Sequence, residues 1–219
     1  RYSDLVAQRK RCGLCDGLQN PADVEGGRFD GPHVGPWSLW QGNLEARLMV
    51  VGQDWGDVGY FREHHGRDTG RNPTNENLAR LLGSIGVGIG QPDDPAGRDA
   101  AFFTNAILCL KTGGLQGTVR GEWFRNCRGF LRRQIEIVRP WVVVGLGARA
   151  HGAILGAFDH RPQPLREAIS DARGVELLPG CHAFAAYHCG ARVINTHRGL
   201  EQQLADWRRI GAALNGSPR

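Results

Sequence analysis

The chain has 219 residues, 41% of them hydrophobic, and a formal net charge of +5, enough apolar material for one well-buried domain. No apolar run reaches the length of a membrane span and no signal-peptide pattern opens the sequence, which sets the expectation of a cytoplasmic protein without a membrane partner; a monomer is expected. The positive balance rests on arginine, since Lys10 and Lys111 are the only lysines, and it favours a polyanionic partner.

In chain order, a short helix is expected from Tyr2 to Arg11, followed by Cys12-Gly-Leu-Cys15 and a Gly/Pro-rich irregular stretch from Gly26 to Pro36. Four apolar runs follow: Leu48 to Val51, Ala101 to Thr104, Trp141 to Val144 and Arg192 to Thr196. Runs such as Trp-Val-Val-Val lack apolar/polar alternation, so they read as strands covered on both faces. Helical patterns lie between and after them, at Thr74 to Ile85, Glu122 to Val138, Ala148 to Leu155 and Leu200 to Leu214. This order predicts a single α/β domain over residues 1–219, a three-layer sandwich around a mostly parallel four-stranded sheet. Ligands of such sheets sit beyond the carboxyl ends of the strands. The residues there are Gly52-Gln53-Asp54-Trp55-Gly56-Asp57, Asn105 to Cys109, and His197-Arg198-Gly199.

Each of these segments has an ordinary reading, because Asp and Asn after a strand often serve as turn formers or helix caps. A carboxylate, a carboxamide and an imidazole converging on one sheet edge make a stronger set. The pair Cys12 and Cys15 alone fits zinc, redox or structural use. Cys109 and Cys127, with 17 residues between them, bring the thiols to four, which suits zinc or an iron–sulfur cluster. Cys181-His182 and His188-Cys189 read as packing, because neighbours on a strand point to opposite faces. Gly145-Leu146-Gly147-Ala148-Arg149-Ala150 matches a dinucleotide fingerprint, but no ribose-binding acid follows about twenty residues on.

These motifs resemble those of the uracil-DNA glycosylase superfamily from about Cys12 to Leu214. Gln53-Asp54 is similar to the Gly-Gln-Asp-Pro-Tyr loop of the common enzymes. Gly56 stands where the iron–sulfur branch ends its Gly-Glu-Ala-Pro-Gly. Thr104-Asn105-Ala106 with Cys109 resembles that branch's Thr-Asn-Val-Val-Lys-Cys. Cys127 to Leu131, Ile135 to Pro140 and Val142 to Ala150 are similar to its later segments. Gly70 to Thr74 is the nearest match to its Gly-x-Pro-Phe and lacks the aromatic residue.

The resemblance implies a repair enzyme that flips uracil out of DNA and hydrolyses its N-glycosidic bond. Asp54 would stabilise the cationic sugar and handle the attacking water, and Asn105 would pair with the uracil edge. Gly52, Gln53 and Trp55 would line the base, with Tyr60 and Phe61 as other candidates for the stacking ring. A histidine would donate to uracil O2. His197 is the expected one, because the run Arg192 to Thr196 ends on it. His188, in Ala186-Tyr187-His188, is the competing candidate. Arg198 and Leu200 would meet the opened duplex. The branch likeness implies a 4Fe-4S cluster on Cys12, Cys15, Cys109 and Cys127, with zinc as the other occupant. A non-catalytic cluster-bearing DNA-binding module is the alternative function.

Overall fold

The computed structural model describes residues 1–35, 44–67, 72–89, 101–114 and 116–216. Pro36, Gly70 and Arg71 of the segments above lie outside the described residues. The central sheet has five strands: β2 (Leu48–Gly52), β3 (Ala101–Asn105), β5 (Val142–Leu146), β6 (Val175–Leu178) and β7 (Cys181–Ala186). Their order is β3-β2-β5-β7-β6. All neighbouring pairs are parallel except β6, which returns antiparallel on the outer edge of β7. A two-stranded ribbon pairs β1 (Leu18–Gln19) with β4 (Leu110–Lys111).

Alternate residues of each central strand enter different cores, which is why these runs show no polar alternation. Leu48, Val50, Phe103, Val142 and Val144 pack with α3 (Pro73–Gly83) and α8 (Leu200–Gly216). Met49, Val51, Phe102 and Val143 pack with α4 (Gly121–Val138) and α5 (Ala148–Ala157). Each fully buried valine or leucine contributes roughly 1.5–3 kcal/mol. The result is the expected three-layer arrangement. Helix α1 (Tyr2–Lys10) joins the α4 side, where Leu5 and Val6 cluster with Leu108 and Cys127. The short helix α6 (Leu165–Ser170) covers β7 near Ala185.

Two expectations are corrected. Among the described residues the sheet has five strands, not four. The run Arg192 to Thr196 is not a strand: residues Ala191–Thr196 form the short helix α7, and β7 takes the fourth parallel position. The β-branched residues Val193, Ile194 and Thr196 suggest a strand by propensity, but tertiary context overrides that preference. Gly190 opens the helix, and the Thr196 hydroxyl donates to the Arg192 carbonyl at 2.6 Å, a helical back-bond.

Between β5 and α5 the chain turns tightly. A side chain at Gly145 would bring its Cβ within 2.6 Å of the His151 backbone nitrogen, and Gly147 sits at φ +91°. The glycines of the apparent dinucleotide fingerprint therefore serve helix–strand packing.

Candidate active site

Strands β2 and β3 pair in register to their last residues, Gly52 opposite Asn105. The ladder then runs on into the loops. The Ala106 N–H donates to the Gly52 carbonyl at 2.9 Å and the Ile107 N–H to the Gln53 carbonyl at 3.0 Å. This zipping fixes the backbone that carries Asp54 beside the backbone that carries Asn105.

Asn105 is fully buried, and among the described residues neither its Nδ2 nor its Oδ1 has a hydrogen-bond partner. A buried carboxamide in this state costs about 1–3 kcal/mol per unmade bond. A ligand that accepts from one atom and donates to the other recovers that cost.

Asp54 is held on both oxygens. Gln53 Nε2 donates to Oδ2 at 2.7 Å, and Lys111 Nζ pairs with Oδ1 at 3.0 Å. The Asp54 and Lys111 side chains are 7% and 8% exposed. The Lys111 N–H also donates to the Gly56 carbonyl at 3.1 Å, and the Lys111 backbone forms a parallel β-bridge with Asp57. Strand β4 thus straps the whole Gln53–Asp57 loop. Asp57 serves the fold: its Oδ1 accepts from the Tyr60 N–H at 2.8 Å and caps α2 (Val58–Glu63). Lys111 has no motif around it in the sequence, and only its rarity as one of two lysines marks it there.

The imidazole that follows the last parallel strand is that of His188, two residues beyond β7. Its Nδ1 accepts from the Gly190 N–H at 3.0 Å, which leaves Nε2 to carry the proton of the neutral ring. One side of the residue meets solvent, while desolvation by the protein around it lowers its pKa below the ordinary histidine value. Asp54 opposes that shift, so its charge reaches the ring. The loop is pinned from two helices. Asn77 donates to the Cys189 carbonyl at 3.0 Å, the Cys189 thiol donates to the Thr74 carbonyl at 3.3 Å, and Gln203 donates to the His188 carbonyl at 3.4 Å.

The other expected residues are placed as follows. His197 ends α7, not a strand, and its Nδ1 lies 2.5 Å from the Thr196 hydroxyl on the exposed surface. The strand-end geometry that pointed to His197 therefore belongs to His188. The Arg198 guanidinium forks onto buried Asp206 at 2.7 and 2.8 Å, a carboxylate it shares with Arg209. Leu200 is half-buried against the α3/α8 core. Both remain partly exposed. Trp55 packs against Tyr60 and Phe61 with ring centroids 5.1 and 5.5 Å away, and its buried Nε1 lacks a partner among the described residues. Phe61 is core, at 1% exposure.

Cys12, Cys15, Cys109 and Cys127 line one cavity of about 150 Å³, with Asn20 and Asn126 on its wall. Buried Arg9 secures the segment before them through Asp30, at 2.6 and 3.1 Å, and through Asn20, whose Nδ2 donates to the Cys12 carbonyl at 2.9 Å. Asn126 donates to Cys15 Sγ at 3.3 Å. Burial, with the other thiols adding, pushes Cys109 up to about 12, and burial pushes Cys127 up to about 11. Among the described residues no three His, Cys, Asp or Glu side chains gather closely enough to hold a single metal ion. Cys181 and Cys189 are buried packing residues. No helix among the described residues is long and apolar enough to cross a membrane.

Asp54, Asn105 and His188 thus follow β2, end β3 and follow β7 at the carboxyl ends of three parallel strands. Residues 39–209 match the sequence model of the Uracil DNA glycosylase superfamily, and the chain belongs to that family. It is 28% identical over 232 residues to the type-5 uracil-DNA glycosylase of Pyrobaculum aerophilum, covering 98% of this chain and 94% of the relative. It is 23% identical over 189 residues to the type-4 uracil-DNA glycosylase of Saccharolobus solfataricus, covering 81% and 76%.

Proposed function

We propose that this chain removes uracil from DNA by hydrolysing the bond between uracil N1 and deoxyribose C1′. The observation that carries the reading is Asn105, a buried carboxamide at the end of β3 with both polar atoms unpartnered among the described residues. Uracil offers N3–H to its oxygen and O4 to its amide nitrogen, whereas cytosine presents the reverse pattern and would leave both buried groups unpaired. Family membership and the two relatives support the same substrate.

Bond breaking leaves positive charge on the sugar and negative charge on the departing base. Asp54 stabilises the first and accepts a proton from the attacking water. Lys111 and Gln53 fix its orientation before substrate arrives, so no reorganisation is needed in the transition state. His188, in place of His197, donates from Nε2–H to uracil O2. A neutral imidazole suits this role, and the lowered pKa keeps it neutral.

Cys12, Cys15, Cys109 and Cys127 would hold a 4Fe-4S cluster. Four thiols around a 150 Å³ space fit it. Bound there by these four cysteines, a cluster would tie the N-terminal segment to the β3–β4 turn and to α4.

The test is release of free uracil from a uracil-containing oligonucleotide, by wild type and by Asn105→Ala. Release by wild type and its loss in the variant are expected. DNA binding without release would favour a non-catalytic module.

A further inference from the structure

A concave surface lies in the helix layer between α4 and α5. Helix α4 feeds β5, and α5 leaves it, so the α5 N-terminus lies at the carboxyl ends of the strands. Between the two helices is a concavity of about 400 Å³. One stripe of each helix lines it: Gly121, Phe124, Arg125 and Arg128 on α4, and Arg149, Gly152, Ala153 and Gly156 on α5. Both follow the i, i+3, i+4, i+7 spacing of a single helix face. Gly152 and Gly156 leave the volume open, since a Cβ at either meets nothing within 4 Å.

The charge on this surface is unbalanced. Arg128 is paired with Asp159, which Arg132 shares, Arg132 also meets Glu136, and Glu122 pairs with Arg120. Arg125 and Arg149 are exposed and have no acidic partner among the described residues. The groove also adjoins the site. Gly147, which opens α5, lies so near His188 that its Cβ would stand 4.0 Å from that of the histidine, and Arg149 follows two residues later.

We propose that the α4–α5 groove is a DNA-backbone track. Arg125 and Arg149 bind phosphates of the DNA beside the flipped nucleotide, and Phe124 and the small residues accommodate deoxyribose. The stripe from Arg149 to Gly156 runs about 10 Å along α5, which matches roughly three nucleotides of one strand. Arginine suits this contact because its planar fork grips phosphate on two oxygens. The inference rests on the reading of this chain as one that acts on DNA, but it does not depend on which base is removed.

The experiment measures binding of an undamaged 20-base-pair duplex to the intact protein across a salt series. It compares wild type, Arg125→Ala/Arg149→Ala, Arg125→Lys/Arg149→Lys and Gly152→Glu. The double alanine variant should bind more weakly and lower the log–log salt slope by about two. Its deficit should shrink about tenfold between 50 and 200 mM salt, which is that slope change expressed as affinity. The double lysine variant should keep the slope. Gly152→Glu, which adds a carboxylate in open space, should weaken binding at an unchanged melting temperature. Single-turnover excision by the double alanine variant at sub-saturating uracil-containing DNA should fall in step with its affinity. An unchanged slope and affinity in a folded double alanine variant would overturn the track. A fall in the saturating rate with an unchanged slope would also overturn it. Because undamaged DNA is the probe, failure of uracil release would strike the glycosylase reading alone.

Discussion

Lys111 Nζ stands 3.0 Å from Asp54 Oδ1 in a pair that is almost wholly enclosed. A cation beside the proposed catalytic carboxylate reduces its net charge, yet it also makes burial of that carboxylate tolerable and fixes its direction. Lys111 acts through Asp54, so the two side chains should behave as a unit.

Lys111→Met is expected to slow single-turnover excision by about one to two orders of magnitude and, by stranding a buried carboxylate, to cost roughly 3 kcal/mol of stability. In an Asp54→Asn background the same change should add little to either loss. Lys111→Arg should retain most of the rate. Equal, additive losses in both backgrounds would separate Lys111 from Asp54.

Asn105→Asp should slow uracil excision and admit some cytosine, because a protonated carboxyl can donate to cytosine N3 while its carbonyl accepts from N4. Excision assays on matched uracil and cytosine oligonucleotides measure this. Undiminished uracil release by Asn105→Asp and Asn105→Ala would remove the residue from base recognition.

His188→Ala should lose excision while His197→Ala retains it. Desolvation depresses the His188 pKa below its unfolded value near 6.5. The unfolded state therefore binds the extra proton, so the histidine's contribution to stability is complete above that value and declines as pH falls through the folded pKa. Nitrogen NMR of His188 at about pH 7 should show a bare Nδ1 and a protonated Nε2. A doubly protonated ring under those conditions would contradict the assignment.

Purified protein should be yellow-brown, with broad absorption near roughly 400 nm. Cys12→Ser and Cys109→Ser should lower colour, iron content and folded yield more than Cys181→Ser. The thiols of Cys109 and Cys127 are held protonated when bare, so reconstitution should release protons and weaken as pH falls. Colourless protein with stoichiometric zinc would replace the cluster while keeping its ligands.

Much of this architecture is legible in particular residues of the sequence. Val142 to Val144 reads only as a strand covered on both faces, and Asn105 and Asp54 follow apolar runs that the sheet pairs in register. Strand β7 is hidden because Cys-His-Ala-Phe-Ala-Ala lacks β-branched residues, while Arg192 to Thr196 has them and folds as a helix. That exchange moves the expected histidine from His188 to His197. Lys111 is invisible because its meeting with Asp54 depends on the β4 strap, a tertiary contact without a local signature.

In the proposed reaction Asp54 supplies the charge that drives hydrolysis at the sugar. Single-turnover release of free uracil from a uracil-containing duplex, wild type against Asp54→Asn, tests this role most directly. The variant should bind the duplex normally and release uracil slower by on the order of a hundredfold or more. Wild-type release rates from Asp54→Asn would contradict it.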